Sequence, residues 1–278
     1  MLRHIESHLD GELSVDVLSG VAAFSKFHFH RQFAALFEIG VHRYIQLLRL
    51  KRASYRLAFR DDPLIQIALD SGYEGPEAFC RAFKLRFGQT PSEFRSGPQW
   101  PSWHETYRTI AETRTAHMKK EFNLDQVAIV GTKPICIAAM EHRGPPALLN
   151  DTVPRFIAWR KKTGLSPKLS ATFNLHYDDP ATTPPDEYRF DLGAATDREI
   201  GPDDDGCVVK TIPGGRCAAL RLVGSDDCLG DAMRYLYATW LPQSGEEPRD
   251  FPPYCRRVTF CPDVAEHEAI TDIYLPLK

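Results

Sequence analysis

The 278-residue sequence contains no run of about 18 apolar residues, so no segment is suited to crossing a bilayer as a helix. Its opening, MLRHIESHLDGELS, is charged and helically spaced, unlike an export signal, and a cytoplasmic protein is expected. The seven cysteines are odd in number and no two stand in C-x-x-C spacing, which argues for reduced thiols rather than a disulfide framework or a zinc knuckle. No phosphate-cradling glycine loop, Ser-His-Asp constellation or heptad run appears, so no catalytic residue, cofactor, metal or coiled-coil partner is expected. Charge of one sign is also scarce, with 34 Lys+Arg against 37 Asp+Glu. The balance is uneven along the chain: residues 1–98 carry 13 basic and 11 acidic side chains, residues 99–278 carry 21 and 26. A mildly basic first part on an acidic remainder permits a nucleic-acid partner without requiring one.

What is present changes character near residue 120. The first hundred residues have helical periodicity. Ser14 and Ser25 are N-cap candidates, and Gly40 is a breaker. A long helix is predicted over 42–59. Asp61-Asp62-Pro63 reads as a cap followed by a first-turn proline, and Pro76–Phe87 as a helix stopped by Gly88. SGPQWPSW (96–103) reads as a boundary and 99–119 as a polar, helical connector. Beyond it, β-rich stretches alternate with two helical ones, about 152–163 and 228–241, as in an α+β domain over 120–278. A faint repeat runs through this part. Gly144 and Gly224 lie 80 residues apart and Trp159 and Trp240 lie 81 apart, as if strand–helix–strand units were duplicated.

The first part is duplicated too. FSKFHFHRQF (24–33) aligns with EGPEAFCRAF (74–83) at an offset of 50, matching Phe29 with Phe79, Arg31 with Arg81 and Phe33 with Phe83. Each copy is a short helix, a tight turn at Ala23 or Gly72, and a second helix with an i,i+4 phenylalanine stripe facing the core. Lys26, Phe27, His30 and Arg31 then flank the opposite face of the first copy, and Pro76, Glu77, Cys80 and Arg81 that of the second. His28 and His30 sit about 200° apart on a helix and cannot share one metal ion. Such a pair of hairpins, joined by a rigid helix bearing Arg43, Arg49, Lys51, Arg52 and Arg56, suits two successive major-groove segments of duplex DNA, with some of these cations reaching phosphates.

Residues 1–98, and IALDSGYEGPEAFCRAFKLRFGQTPSEFR (67–95) above all, resemble the DNA-binding region of AraC/XylS transcription regulators. The resemblance implies base-reading positions at Phe27, His30 and Arg31 in the first helix and Pro76, Glu77 and Arg81 in the second, with Lys26 and Lys84 beside them. Arginine can clamp guanine or a phosphate in a bidentate manner, histidine can donate to a base acceptor, and glutamate can accept from a cytosine amine. Phe27 would meet a thymine methyl or only a sugar edge. Ala23 replaces the family's turn glycine, a cost of about 1 kcal/mol if φ is positive there.

LHYDDPATTPPDEYRFDLG (175–193), VVKTIPGGRCAALRLVGS (208–225), YLYATWLPQSG (235–245) and TDIYLPL (271–277) resemble the GyrI-like effector-binding domain. This implies two pseudo-symmetric β-α-β-β units with a ligand cleft at their junction. Trp159, Phe173, Tyr177, Phe190, Tyr237, Trp240 and Tyr254 are the candidate aromatic lining, suited to a hydrophobic, aromatic or cationic small molecule. Multidrug-type members place a glutamate near the equivalent of 251–258. Pro253, Tyr254 and Cys255 stand there instead, leaving Glu141 or Asp191 as substitute carboxylates. The expectation is a multidomain, non-enzymatic regulator: an all-α double helix-turn-helix domain, then an α+β effector domain, with operator DNA, a small effector and RNA polymerase as partners. The alternative is a ligand-sequestering or hydrolytic detoxification protein with an auxiliary DNA-binding domain.

Overall fold

The computed structural model describes residues 1–118, 120–201 and 203–278; Lys119, the end of the expected connector, lies outside them. The chain forms two compact units. One comprises the helical first part together with Cys261–His267, the other Lys120–Phe260 with Glu268–Lys278.

The helical unit contains α1 (Leu2–Ser7), α2 (Val15–Val21), α3 (Lys26–Phe37), α4 (Val41–Phe59), α5 (Leu64–Asp70), α6 (Pro76–Phe87), α7 (Pro91–Ser96) and α8 (Trp100–His117). The serine caps behave as expected. Ser14 accepts from the Val17 amide and Ser25 from the His28 amide, satisfying otherwise orphan donors. Thr90 and Glu93 make a reciprocal capping box at α7. The cap expected at Asp61-Asp62 does not form: Pro63 takes the N-cap position, and Asp62 instead accepts from Arg56 at 2.5 Å. Helix α3 ends at Glu38 in the left-handed region (φ 55°), two residues before Gly40, which caps α4.

Helix α4 is the central strut, burying Tyr44, Leu47, Leu48, Leu50, Ala53 and Leu57 around its circumference. Phe29 and Phe33 from α3 and Phe79, Phe83 and Phe87 from α6 join the same core. The expected connector is part of that core. In α8, Trp100, Trp103, Tyr107 and Ile110 are buried, and the Trp103 indole donates to Ser54 at 2.6 Å. Their spacing of three, four and three is a helical stripe, which the polar intervening residues and two prolines obscured.

The second unit is one antiparallel eight-stranded sheet with helices on one face. Its first half is β1 (Val127–Thr132), β2 (Ile135–Arg143), α9 (Leu149–Thr163), β3 (Thr172–His176) and β4 (Arg189–Ala195). Its second half is β5 (Cys207–Ile212), β6 (Gly215–Val223), α10 (Leu229–Tyr235), a π-helical turn (Leu236–Trp240), α11 (Leu241–Ser244), β7 (Tyr254–Thr259) and β8 (Ile270–Pro276). The strand order is β1-β6-β8-β7-β3-β4-β2-β5, so each half lends its first strand to the other.

That exchange shapes the sheet. β1 lies at one edge and β2 next to the other, yet only residues 133–134 connect them, which span at most about 10 Å. Residues 213–214 connect β5 to β6 in the same way. The two connections touch: a Cβ on Gly214 would lie 2.6 Å from Pro134 Cδ and 2.8 Å from the Thr132 carbonyl oxygen. The sheet edges are therefore drawn together at one end, and the helix-free face is the inner, concave one. Strand alternation assigns Ala138, Met140, Phe190, Leu192 and Ala194 to the helix-covered face with Phe156 and Trp159. Ile137, Ala139, Phe173, Leu175, Ile212, Cys217 and Tyr254 form the inner-face core.

The repeat read from the sequence is structural. α9 begins at Leu149 and α10 at Leu229, an offset of 80, while the paired tryptophans and the left-handed glycines Gly164 and Gly245 are offset by 81. The extra residue is absorbed by the π turn, which has no counterpart in α9.

Candidate functional site: two reader helices and a concave sheet face

Each expected reader helix, α3 and α6, is fixed by its phenylalanines. Phe29 and Phe33 are 3% and 2% exposed, Phe79 and Phe83 wholly buried, so the opposite faces of α3 and α6 must point outward. On α3, Lys26, Phe27, His30 and Arg31 are all exposed. Phe27 is 64% exposed, an unusual position for a phenylalanine, and the Arg31 guanidinium lies 5.0 Å above its ring. Lys26 forms an ion pair with Asp16 across the hairpin. On α6, Glu77, Arg81 and Lys84 are exposed and Pro76 is half-buried. Among the described residues, no ion pair or hydrogen bond ties down Arg31 or Arg81.

The turns differ. Gly72 has φ +81° and Ala23 has φ +55°, so the alanine stands where a glycine would be unstrained. A Cβ at Gly72 would come 2.5 Å from Arg49 Nη1, whose guanidinium donates to the carbonyls of Leu9 and Gly11. This narrows the expectation for α4 to Arg43. Arg49, Lys51, Arg52 and Arg56 are engaged within the unit, Arg52 with Asp10 and the Asp70 carbonyl, Arg56 with Asp62 and Asp70, and Lys51 with Glu266. Of the α4 cations named above, Arg43 alone is exposed. Among the described residues, no group of three or more potential metal ligands occurs; His4 and His8 stack on each other with centroids 4.2 Å apart.

On the sheet unit, three of the seven expected lining residues share the inner face: Phe173, Tyr177 and Tyr254. The other four do not. Trp159 and Phe190 lie in the core beneath α9, Trp240 in the core beneath α10 and α11, and Tyr237 sits on the π turn, 43% exposed. Strand alternation is the reason for Phe190. It is paired with His142 and His176 on the outer face, whereas Asp191, one residue on, is paired with Glu141 and Leu175 on the inner one. Tyr274, Lys210, Arg143 and Arg256 were not anticipated, although their shared strand parity with Phe173 is readable once the register is known; Phe251 joins them from the loop before β7.

In the first half, Asp191 is fully buried and accepts from Lys210 at 2.6 Å, the Tyr177 hydroxyl at 2.8 Å and Arg143 at 3.0 Å. Glu141 accepts from Lys210 and from Arg143. Burial opposes the Lys210 charge, but hydrogen bonds to Asp191 and Glu141 outweigh it and hold the ammonium above its ordinary range. Burial, and then the hydrogen bond to Asp191, lifts the Tyr177 phenol. Lys210, Arg189 and Arg143 also lie 5.4, 5.5 and 5.7 Å from the Tyr177 ring centre.

The second half presents a different surface at equivalent positions. Arg221 takes the place of Glu141 and pairs with Asp272 at 2.7 and 2.9 Å. Tyr254 and Tyr274 stack with centroids 4.9 Å apart, and Phe173 and Phe251 approach the Tyr254 ring at 6.3 and 6.4 Å. Burial raises the Tyr254 phenol, whose oxygen lies 3.7 Å from Cys217 Sγ.

A duplicated helix-turn-helix unit joined to a pseudo-twofold sheet with an aromatic inner face defines a class: DNA-binding regulators with an attached small-molecule module. Residues 125–278 match the family model of the GyrI-like small molecule binding domain, and residues 18–97 match a helix-turn-helix domain model. The chain belongs to the GyrI-like family and carries an AraC-type helix-turn-helix region. It is 39% identical over 152 residues to the probable transcriptional regulator YgiV of Escherichia coli K12, covering 54% of this chain and 95% of that protein. It is 34% identical over 103 residues to the right origin-binding protein of the same strain, covering 37% of this chain and only 36% of that one. A solved EcmrR–DNA complex matches over 95% of this chain and 98% of that one, with 13% identity and a TM-score of 0.47. No described helix is long and apolar enough to cross a membrane.

Proposed function

We propose that the chain is a one-component transcription regulator in which α3 and α6 read two successive major-groove segments and the sheet's inner face senses a small ligand. The observation that carries this reading is the repeated exposure pattern: two core phenylalanines fix each helix, and each then projects an untied arginine, Arg31 or Arg81, outward. Phe27, His30 and Arg31 read bases from α3, and Pro76, Glu77 and Arg81 from α6. Lys26 and Lys84 contact phosphates. Since α8 completes the helical core, the DNA-reading module extends beyond residue 98 to include it. The small molecule occupies the inner face around Phe173, Tyr177, Tyr254 and Tyr274, and the helical unit offers RNA polymerase its remaining surface in the cytoplasm.

A hydrolytic reading has one observation in its favour, the Tyr177 hydroxyl donating to a carboxylate. Asp191 is also held by Lys210 and Arg143, which suits a structural acceptor better than a base. The test of the regulator reading is a footprint-defined operator titrated at fixed salt. Arg31→Ala and Arg81→Ala are each expected to cost about 1–3 kcal/mol and to relax specificity in separate half-sites. Unchanged affinity in both variants would overturn it.

A further inference from the structure

We propose that the inner face of the sheet takes an organic anion with an aromatic body, its anionic group received by Arg256. This rests on the ligand-sensing reading above and specifies the ligand's charge. The first support is that the face's carboxylates are already occupied. Asp191 accepts from three donors of the chain, Glu141 from two, and Asp272 from both arms of Arg221. The Tyr177 ring, the natural cushion for a cationic ligand, already faces three of the chain's own cations. A cationic guest would have to displace an internal ion pair from a buried carboxylate, leaving Lys210 and Arg143 to share Glu141 alone.

The second support is Arg256. It lies on the central strand β7, paired in register with Phe173 on one side and Asp272 on the other, and shares the inner face with Tyr254 two residues before it. Its side chain is exposed, and among the described residues no hydrogen bond or ion pair engages it. Its charge is felt by the half-buried Tyr274 phenol, which stacks on Tyr254. In the first half the equivalent position is Leu175, which is buried, so the asymmetry introduces a cation beside the aromatic floor. A free guanidinium next to stacked phenol rings matches a carboxylate or sulfonate attached to an aromatic ring, which it can grip with two parallel hydrogen bonds.

The test uses three probes with one ring system, titrated calorimetrically into the full chain: 2-naphthoate, neutral 2-naphthamide and 2-naphthylmethylammonium. Naphthoate should bind most tightly and the ammonium most weakly. Arg256→Gln should weaken naphthoate roughly tenfold to a hundredfold while changing naphthamide little. Arg256→Glu should reverse the order of the two charged probes, an outcome that misfolding cannot imitate. Tighter binding of the ammonium by the native chain, or naphthoate binding that ignores both substitutions, would overturn the anion assignment and leave a ligand face in place. Failure of all three probes to bind at millimolar concentration would overturn both the assignment and the aromatic-ligand reading beneath it.

Discussion

The two units of this chain are both built by duplication, but their copies have diverged in opposite places. In the helical unit the outward faces agree where it matters, with Arg31 and Arg81 at matched positions, while the turns differ, Ala23 against Gly72. In the sheet unit the frame agrees, with Asp191 and Asp272 at matched positions facing Glu141 and Arg221, while the inner-face chemistry differs. In the proposed reading, two helices perform the same task at two places on a duplex, so both copies need their arginine. Two half-sheets jointly form one face, so each is free to supply a different part of it.

The largest expected loss of stability on substitution breaks the equivalence of the two aspartates. Asp191 is wholly buried and holds Lys210 and Arg143, so Asp191→Ala should cost about 2–3 kcal/mol by leaving those two cations, 23% and 43% exposed, to share Glu141 alone. Asp272 pairs with an Arg221 side chain that is 60% exposed, and Asp272→Ala should cost about 1 kcal/mol. Urea unfolding of the two variants measures the difference; equal losses would show that the halves carry equivalent charge networks.

A second asymmetry lies on the outer face, where His176 of β3 corresponds to Arg257 of β7. Arg257 is paired with Asp226 at 2.7 Å. His176 has no hydrogen-bond partner for Nε2 among the described residues and packs edge-on against Phe190. Burial, with Arg257 adding to it, pushes the His176 imidazole down to about 4. The folded state therefore holds it neutral while the unfolded chain takes up a proton below about 6.5. Its contribution is complete above about pH 6.5 and is lost as the pH falls towards 4, amounting to roughly 3 kcal/mol. His176→Phe should flatten the stability profile over that window in denaturant titrations at a series of pH values; an unaltered slope would refute the assignment.

How much of this could be read in advance follows from what each signal depends on. Helix caps and turn positions are local, and Ser14, Ser25 and Gly88 declared themselves by neighbours within four residues, while Arg31 and Arg81 declared themselves by the repeat at an offset of 50. Strand faces depend on register, which is a long-range property. Phe190 and Asp191 are adjacent in sequence and lie on opposite sides of the sheet, so counting aromatics alone could not separate lining from core. Helix α8 is an intermediate case. Its stripe of Trp100, Trp103, Tyr107 and Ile110 was visible, but the prolines around it suggested a linker. The one-residue slip between the 80 and 81 offsets was also visible, and only the π turn explains it. The cations of α4 looked like phosphate contacts because the groups that hold them come from the loop after α1, from α5 and the loop before it, and from Glu266 far along the chain.

The turns give a smaller contrast with opposite signs. Ala23→Gly should stabilise the first hairpin by up to about 1 kcal/mol, because glycine adopts positive φ without a Cβ clash. Gly72→Ala should destabilise the second by about 1–2 kcal/mol, since it adds the same strain and pushes Arg49 off the Leu9 and Gly11 carbonyls. Thermal unfolding of the two variants reads both signs. If Ala23→Gly is neutral or harmful, the first turn is not strained and the difference between the hairpins is one of sequence only.

The smallest effect distinguishes reading from positioning within one helix. Lys26 and Asp16 are paired, but their side chains are 65% and 64% exposed, so the pair should contribute less than about 0.5 kcal/mol to folding. In the proposed reading Lys26, at the start of α3, exchanges Asp16 for a phosphate. Lys26→Ala should therefore weaken operator and non-operator DNA alike and lower the slope of log K against log salt by about one. Arg31→Ala should weaken the operator far more than other sequences. The same comparison on α6, Lys84 against Arg81, should repeat the pattern if the two readers work alike. A different partition there would mean that Glu77, near the phosphates of its own groove, has turned the second helix from an equal reader into a discriminating one.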